Sequence, residues 1–234
     1  MKVSTLAFVS DEVLERELKK VFEKAVDAKS GVKKTFGKNV IDPFSAMFEI
    51  GGFRIEHSVW YEAELTRQAQ KTLQNHVGTF HQSILGAVAG WHDTGAGGIV
   101  DVVNMEKKIL AEVKNKYNTL SGGQLAGLYE SLESVIAPKT SHYKDFTAYY
   151  VTIIPKNNKR FDKPFTPSNK NKGTRCPENP LIRMIDGPSF YTLVTGRQNA
   201  LQELYHAIPI VAKKLGYDID SPEVLTEYFN KAFS

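Results

Sequence analysis

Two short β-branched runs, each with an acid where an apolar residue belongs, constrain this chain more than any other feature. Ile99-Val100-Asp101-Val102-Val103 and Ile109-Leu110-Ala111-Glu112-Val113-Lys114-Asn115 flank the charged stretch Met105-Glu106-Lys107-Lys108. Valine and isoleucine favour the extended chain, and a short polar connection between two such runs makes an antiparallel hairpin the simplest geometry. With a period of two, Leu110, Glu112 and Lys114 share one face of the second strand, and Ile109, Ala111 and Val113 the other. The first face passes from apolar to charged along its length, which suits a strand running from a core to an exposed rim. A carboxylate inside an apolar run is costly unless it is paired or bound to a cation. Two acids on adjacent strands supply hard oxygen ligands for a divalent ion such as Mg²⁺. The amine of Lys114 beside them stabilises negative charge or orients a water. The structural alternative is a salt bridge between Asp101 and Lys114 near a sheet edge, although buried pairs are a poor source of stability.

Acidic-x-Lys triplets are weak signals by themselves, and the chain has four: Glu17-Leu18-Lys19, Asp27-Ala28-Lys29, Glu106-Lys107-Lys108 and Glu112-Val113-Lys114. The first two fall on a helical pattern and the third in the turn. Only the fourth has the alternation that sets acid and lysine on one face of a strand.

Around this pair the chain reads as alternating helices and strands. Leu14, Leu18, Val21, Phe22 and Ala25 recur at helical spacing over 11–29 behind a candidate cap at Ser10. Pro43 starts a short helix through Phe48, and Gly51-Gly52 marks a turn. A long helical pattern covers 59–88, with a bend expected at Gly78. Its amides Gln68, Gln70, Gln74, Asn75 and Gln82 face either solvent or DNA or a second subunit. Ser121 opens a helix to about Val135, and Phe146–Ile154 is a strand ended by Pro155. Phe190–Thr195 reads as a short strand, 197–215 as a helix disturbed at Pro209, and Ser221-Pro222-Glu223 as the start of a last helix. The order predicts an α/β fold, a mixed central β-sheet flanked by helices. One domain is expected over 1–234: a helical N-terminal segment over 1–58, a core of about 59–154, and a basic loop with C-terminal helices over 155–234.

Composition fits a folded, non-membrane protein, with 41% hydrophobic and 24% charged residues. No apolar run approaches the ~20 residues that span a bilayer. The apolar start at Met1–Val9 is broken by Ser10-Asp11-Glu12, too early for a secretory signal. One cysteine, Cys176, allows no internal disulfide and fits the reducing cytoplasm as an incidental thiol in a polar loop. The net charge of +4 permits nucleic-acid binding without requiring it. Its distribution says more: between Lys156 and Glu178 stand Lys156, Lys159, Arg160, Lys163, Lys170, Lys172 and Arg175 against Asp162 and Glu178. Such a run is either a solvated, loosely ordered loop or a phosphate-contacting one. His76 and His81 lie on different helix faces and Cys176 is remote from both, which argues against zinc. His81-Gln82 either packs or supports the site. Gly95-Ala96-Gly97-Gly98 precedes a strand and so is no dinucleotide fingerprint. Ser121-Gly122-Gly123 is a plain helix cap or an approach to a phosphate.

The succession Asp101, hairpin, Glu112-Val113-Lys114, helix from Ser121, strand Phe146–Ile154 resembles the PD-(D/E)XK nuclease superfamily. The superfamily's proline before the acid is absent; Val100 stands there, and proline is no ligand. The stretch Glu112-Val113-Lys114-Asn115-Lys116-Tyr117-Asn118-Thr119, with Arg67-Gln68-x-Gln70-Lys71 and Phe80-His81-Gln82 upstream, is similar to type II restriction endonucleases, of the kind cutting GGNCC-type sites. The resemblance covers roughly 59–154 and implies a restriction-endonuclease-like core that hydrolyses double-stranded DNA with Mg²⁺, giving 5′-phosphate and 3′-hydroxyl ends. It implies Asp101, Glu112 and the main-chain carbonyl of Val113 as metal ligands. Lys114 would position or help deprotonate the water and stabilise the transition state. Glu64 is the first candidate for an added acid from a preceding helix, Glu49 the second. Asn115, Lys116, Asn118 and Thr119 leave the catalytic strand toward DNA, joined by Lys156, Lys159, Arg160, Lys170, Lys172 and Arg175 of the basic loop. A homodimer matches a palindromic site. The alternatives are a structure-specific or DNA-repair nuclease on the same core, and a non-catalytic DNA-binding protein.

Overall fold

The computed structural model describes residues 4–95 and 97–233. The start of the Met1–Val9 run and Ala96 of the Gly95–Gly98 segment lie outside the described residues. Contacts divide the chain into two compact units, residues 1–18 with 78–234, and residues 19–77. One helix, His57–Gly86 (α3), runs unbroken through Gly78, where the sequence suggests a bend.

The larger unit is built on a six-stranded sheet: β1 (His92–Asp93), β2 (Val102–Asn104), β3 (Ile109–Lys116), β4 (Thr147–Ile154), β5 (Asp162–Pro164) and β8 (Ile182–Asp186). Its order is β1-β2-β3-β4-β8-β5. The hairpin β2–β3 is antiparallel, whereas β3, β4 and β8 run parallel at the centre. β5 closes the far edge antiparallel to β8. The expected mixed sheet flanked by helices is the observed one.

Helix α4 (Gly122–Ile136) connects β3 to β4. Ser121 and Gln124 form a reciprocal capping box at its start, the plain cap that Ser121-Gly122 suggests. The helix covers the face carrying Leu110, Ala148, Tyr150 and Ile182, burying Ala126, Tyr129, Leu132 and Ile136 against them. On the opposite face lies α5 (Gly187–Thr195), where Phe190 meets Tyr149 and Trp91 with ring centroids 5.9 Å and 5.7 Å apart. Helix α6 (Ala200–Lys214) packs on α5 and carries Pro209 within it. A last helix, α7, spans Pro222–Phe233.

Phe190–Thr195 is therefore helix, not strand. Asp186 caps it by accepting from the Ser189 N–H at 2.8 Å, and Pro188 sits in the first turn. Phe190, Tyr191 and Val194 then bury one helical face, which overrides their strand propensity. A Cβ at Gly187 would overlap the Ile153 carbonyl, so glycine is what lets α5 start against β4. The basic loop is also more ordered than its composition suggests. It contains β5 and a small ribbon of β6 (Ser168–Asn169) with β7 (Thr174–Arg175), and Cys176 is buried in the α4 core, not exposed in a polar loop.

The smaller unit holds most of α1 (Asp11–Thr35), α2 (Pro43–Phe53) and the first two-thirds of α3. Asn39 Nδ2 donates to Gln68 Oε1 at 2.7 Å, and the Phe36 ring meets Tyr61 edge-on. α1 continues past Ser30-Gly31, and α2 continues through Gly51-Gly52 where the sequence suggests a turn.

Candidate active site

Strand register brings the two acids together. Asp101 lies one residue before β2, and its N–H donates to the Ala111 carbonyl at 2.9 Å. The pairing ends at Val102↔Ala111, and just beyond it the side-chain carboxyl groups of Asp101 and Glu112 come within hydrogen-bonding reach of each other. Asp101 is held from three sides. The Val113 N–H donates to its Oδ2 at 2.7 Å. Gln82 at the end of α3 hydrogen-bonds its side chain. The loop before it is tied back by Thr94, whose N–H donates to the Asp101 carbonyl at 3.0 Å and whose hydroxyl donates to the Val100 carbonyl.

Lys114 Nζ donates to Glu112 Oε1 at 2.5 Å. The expected pairing of a lysine and an acid on one face of β3 is thus present, and the lysine's hydrogen-bond partner is Glu112, not Asp101. Both acids are half-buried, and desolvation pushes each carboxyl above the ordinary carboxylate range. For Glu112 the facing charge of Asp101 adds to this and Lys114 opposes it. For Asp101 the Val113 N–H, Lys114 and Gln82 oppose, while Asp93 on β1 raises it further. Two carboxylates that repel each other in a partly desolvated site, with oxygen donors directed to one face, fit a hard divalent cation. Among the described residues no group of three or more His, Cys, Asp or Glu gathers around a common point. The carbonyl of Val113, between the two charged residues of β3, is the remaining protein oxygen at hand.

Glu64 and Glu49 belong to the smaller unit, and each has its carboxylate engaged. Glu64 accepts from Arg67 at 2.5 and 2.6 Å and from Gln68 at 2.8 Å; the Arg67 hydrogen bond comes first in lowering its pKa. Glu49 accepts from Ser45 and from the Trp60 indole at 3.0 and 2.8 Å. His81 packs: its Nδ1 lies 2.8 Å from the Tyr191 hydroxyl, and burial holds its pKa down at about 4.

Across the sheet, Lys114 is in register with Thr152 of β4, and Thr152 with Asp186 of β8. Thr152 and Tyr150 are both only 2% exposed, and neither hydroxyl has a hydrogen-bond partner among the described residues. They line a cleft of about 710 Å³ whose rim includes Lys156, Lys159, Lys163 and Arg175. Arg160 also reaches this cleft, but its guanidinium is tied to Asp186 at 3.2 Å and to Ser189 and Thr192 at 3.0 and 3.3 Å. Lys172 pairs with Glu130 at 3.0 Å, and Lys170 lies beside it on the same turn. Asn115 points to the opposite face of β3 from Lys114, with its Oδ1 buried. Lys116, the last residue of β3, and Asn118 and Thr119 beyond it are exposed, and the Thr119 hydroxyl closes a turn onto the Lys116 carbonyl at 2.7 Å. Sequence reasoning does not identify Asp93, Tyr150 or Thr152 as belonging to this region. The first lies on a two-residue strand with no pattern, and the next two read as ordinary strand interior.

Comparison with known proteins agrees with this geometry. The sequence model of the Eco47II restriction endonuclease family matches residues 6–216. The type II restriction enzyme Eco47II of Escherichia coli is 52% identical over 239 residues, covering 99% of this chain and 100% of that protein. The type II restriction enzyme Sau96I of Staphylococcus aureus is 33% identical over 209 residues, 88% of this chain and 78% of that protein. The paired acids and lysine at the hairpin, the mixed sheet beneath them and similarity over nearly the whole length lead to one assignment: the chain belongs to the Eco47II restriction endonuclease family.

Proposed function

We propose that this restriction endonuclease hydrolyses both strands of double-stranded DNA with Mg²⁺, at a short site of GGNCC type. The whole chain acts as one nuclease domain, as a homodimer, in the cytoplasm. No helix among the described residues is long and apolar enough to cross a membrane. The observation that carries the reading is the approach of the Asp101 and Glu112 carboxyl groups at the β2–β3 hairpin, with Lys114 bonded to Glu112.

Asp101, Glu112 and the Val113 carbonyl hold the ion. When bound, it adds positive charge at the scissile phosphate and raises the acidity of water beside it. The Val113 N–H, Gln82 and Thr94 fix Asp101 so that its carboxylate needs no rearrangement to bind. Lys114 orients the attacking water and stabilises the negative charge that develops on the phosphate oxygens. Lys156, Lys159, Lys163 and Arg175 provide positive charge along the backbone of the duplex, and Lys116, Asn118 and Thr119 extend that contact beyond β3.

The test is sequencing of the fragment ends produced from plasmid DNA with Mg²⁺. Discrete fragments with 5′-phosphates at one palindromic sequence are expected. Random nicking or cleavage confined to junctions would replace this reading with a repair-type nuclease. DNA binding without any cleavage would replace it with a non-catalytic protein.

A further inference from the structure

Helix α2 presents an apolar face that nothing in its own unit covers. Its sequence, Pro43-Phe44-Ser45-Ala46-Met47-Phe48-Glu49-Ile50-Gly51-Gly52-Phe53, has a single charge, and no residue of the helix is buried. A helix apolar on nearly all sides normally lies inside a protein. One side of α2 faces α3, where Glu49 accepts from the Trp60 indole at 2.8 Å. The other side carries Phe44, Met47 and Phe48 at i, i+3 and i+4, exposed 71%, 70% and 74%. The same stripe continues into Gly51 and its neighbour Gly52 one turn later.

Each glycine costs the helix roughly 0.5–1 kcal/mol relative to alanine. Nothing in the smaller unit needs them: among the described residues a Cβ at either position would meet no atom within 4 Å. A large side chain from a second helix lying against that end would fill the space they leave. From this we infer that α2 pairs with α2 of a second copy across a two-fold axis, with the helices antiparallel. The axis passes near Phe48, the midpoint of the helix. Phe44 of each copy then lies against the Gly51-Gly52 end of the other, a large side chain entering the space where side chains are missing, while Met47 and Phe48 meet their counterparts at the axis.

The stripe is also suited to meeting itself. Residues near a two-fold axis face their own copies, so a charge there would face a like charge, and the stripe carries none. The inference rests on the two-copy reading above, which a duplex with two strands to cut already asks for. Three side chains of this size, about 70% exposed, present roughly 450 Å². The pair of copies buries roughly 900 Å² from them alone, near the ~1,000 Å² at which a specific interface begins. The expected contact is therefore modest and concentration-dependent, and binding of both copies to one palindrome reinforces it.

Sedimentation equilibrium of the full chain over a concentration series, without DNA, tests this. The native chain should associate reversibly to a dimer. Phe48→Glu should weaken the dimer at least tenfold while leaving circular dichroism and the melting temperature unchanged. Gly51→Leu should weaken it similarly while melting no lower, because leucine favours the helix and the position is open within the chain. A native chain that stays monomeric at every concentration overturns the proposal. A native dimer whose dissociation constant neither substitution moves also overturns it, and leaves a two-copy endonuclease that pairs through another surface.

Discussion

Asp101 and Glu112 face each other across a hairpin, both partly desolvated, with one lysine between two negative charges. Like charges brought this close at a strand pair destabilise a sheet, by several tenths to about 1 kcal/mol. Folding alone would not favour this arrangement, and the cation of the proposed function would reverse it. Asp101→Asn keeps an oxygen to accept from the Val113 N–H and removes one of the opposed charges. In the absence of divalent metal the variant should melt higher than the native chain, by about 2–4 °C for a gain of ~1 kcal/mol in a protein of this size. Mg²⁺ should raise the native melting temperature by mass action and the variant's far less, and the variant should not cut DNA. Calorimetry with and without Mg²⁺ checks both. A variant that melts lower without metal, or keeps the full metal-dependent shift, contradicts the assignment of Asp101 as a ligand held against repulsion.

Elements differ in how far local sequence determines them. The β2–β3 hairpin and β4 are legible because alternation and bounding residues are local signals, and α4 because Ser121 and Gln124 announce its cap. Glu112 and Lys114 follow from that alternation, but the facing of Asp101 depends on register, which the turn sets. α5 reads as a strand because Tyr191, Thr192 and Val194 favour extension; the Asp186 cap and the packing of Phe190 on Tyr149 decide otherwise. β8 and β5 escape a sequence reading because each is short and carries charge. Arg183 and Asp162 pair across that edge at 2.6 Å, so the charges that hide the strands also join them. His81 shows what α3 contributes at its C-terminal end. Its folded pKa of about 4 lies below the 6.5 of a free histidine, so the folded chain keeps it neutral where the unfolded chain would protonate it. The sign is that of a depressed base: its contribution is complete above about pH 6.5 and falls as pH drops toward about 4, by on the order of 3 kcal/mol. His81→Gln should flatten the pH dependence of the urea midpoint across that window. An unchanged slope would place the titration elsewhere.

On the scale of the whole molecule, β3, β4 and β8 run parallel and end together, with Lys114, Thr152 and Asp186 in register across their carboxyl ends. Open α/β sheets bind ligands beyond the carboxyl ends of their strands, and here that end opens onto the basic cleft. The proposed function accordingly divides binding from cutting, with Lys156, Lys159, Lys163 and Arg175 at the cleft for the first and Asp101, Glu112 and Lys114 at the hairpin for the second. The most direct test is the Lys114→Ala variant, assayed for DNA affinity in Ca²⁺ and for cleavage in Mg²⁺. The account predicts affinity within a few-fold of native, and cleavage slower by about 10²–10³-fold or more, the usual cost of losing one charge-stabilising donor. Cleavage by Lys114→Ala at the native rate and at the same sites would contradict it.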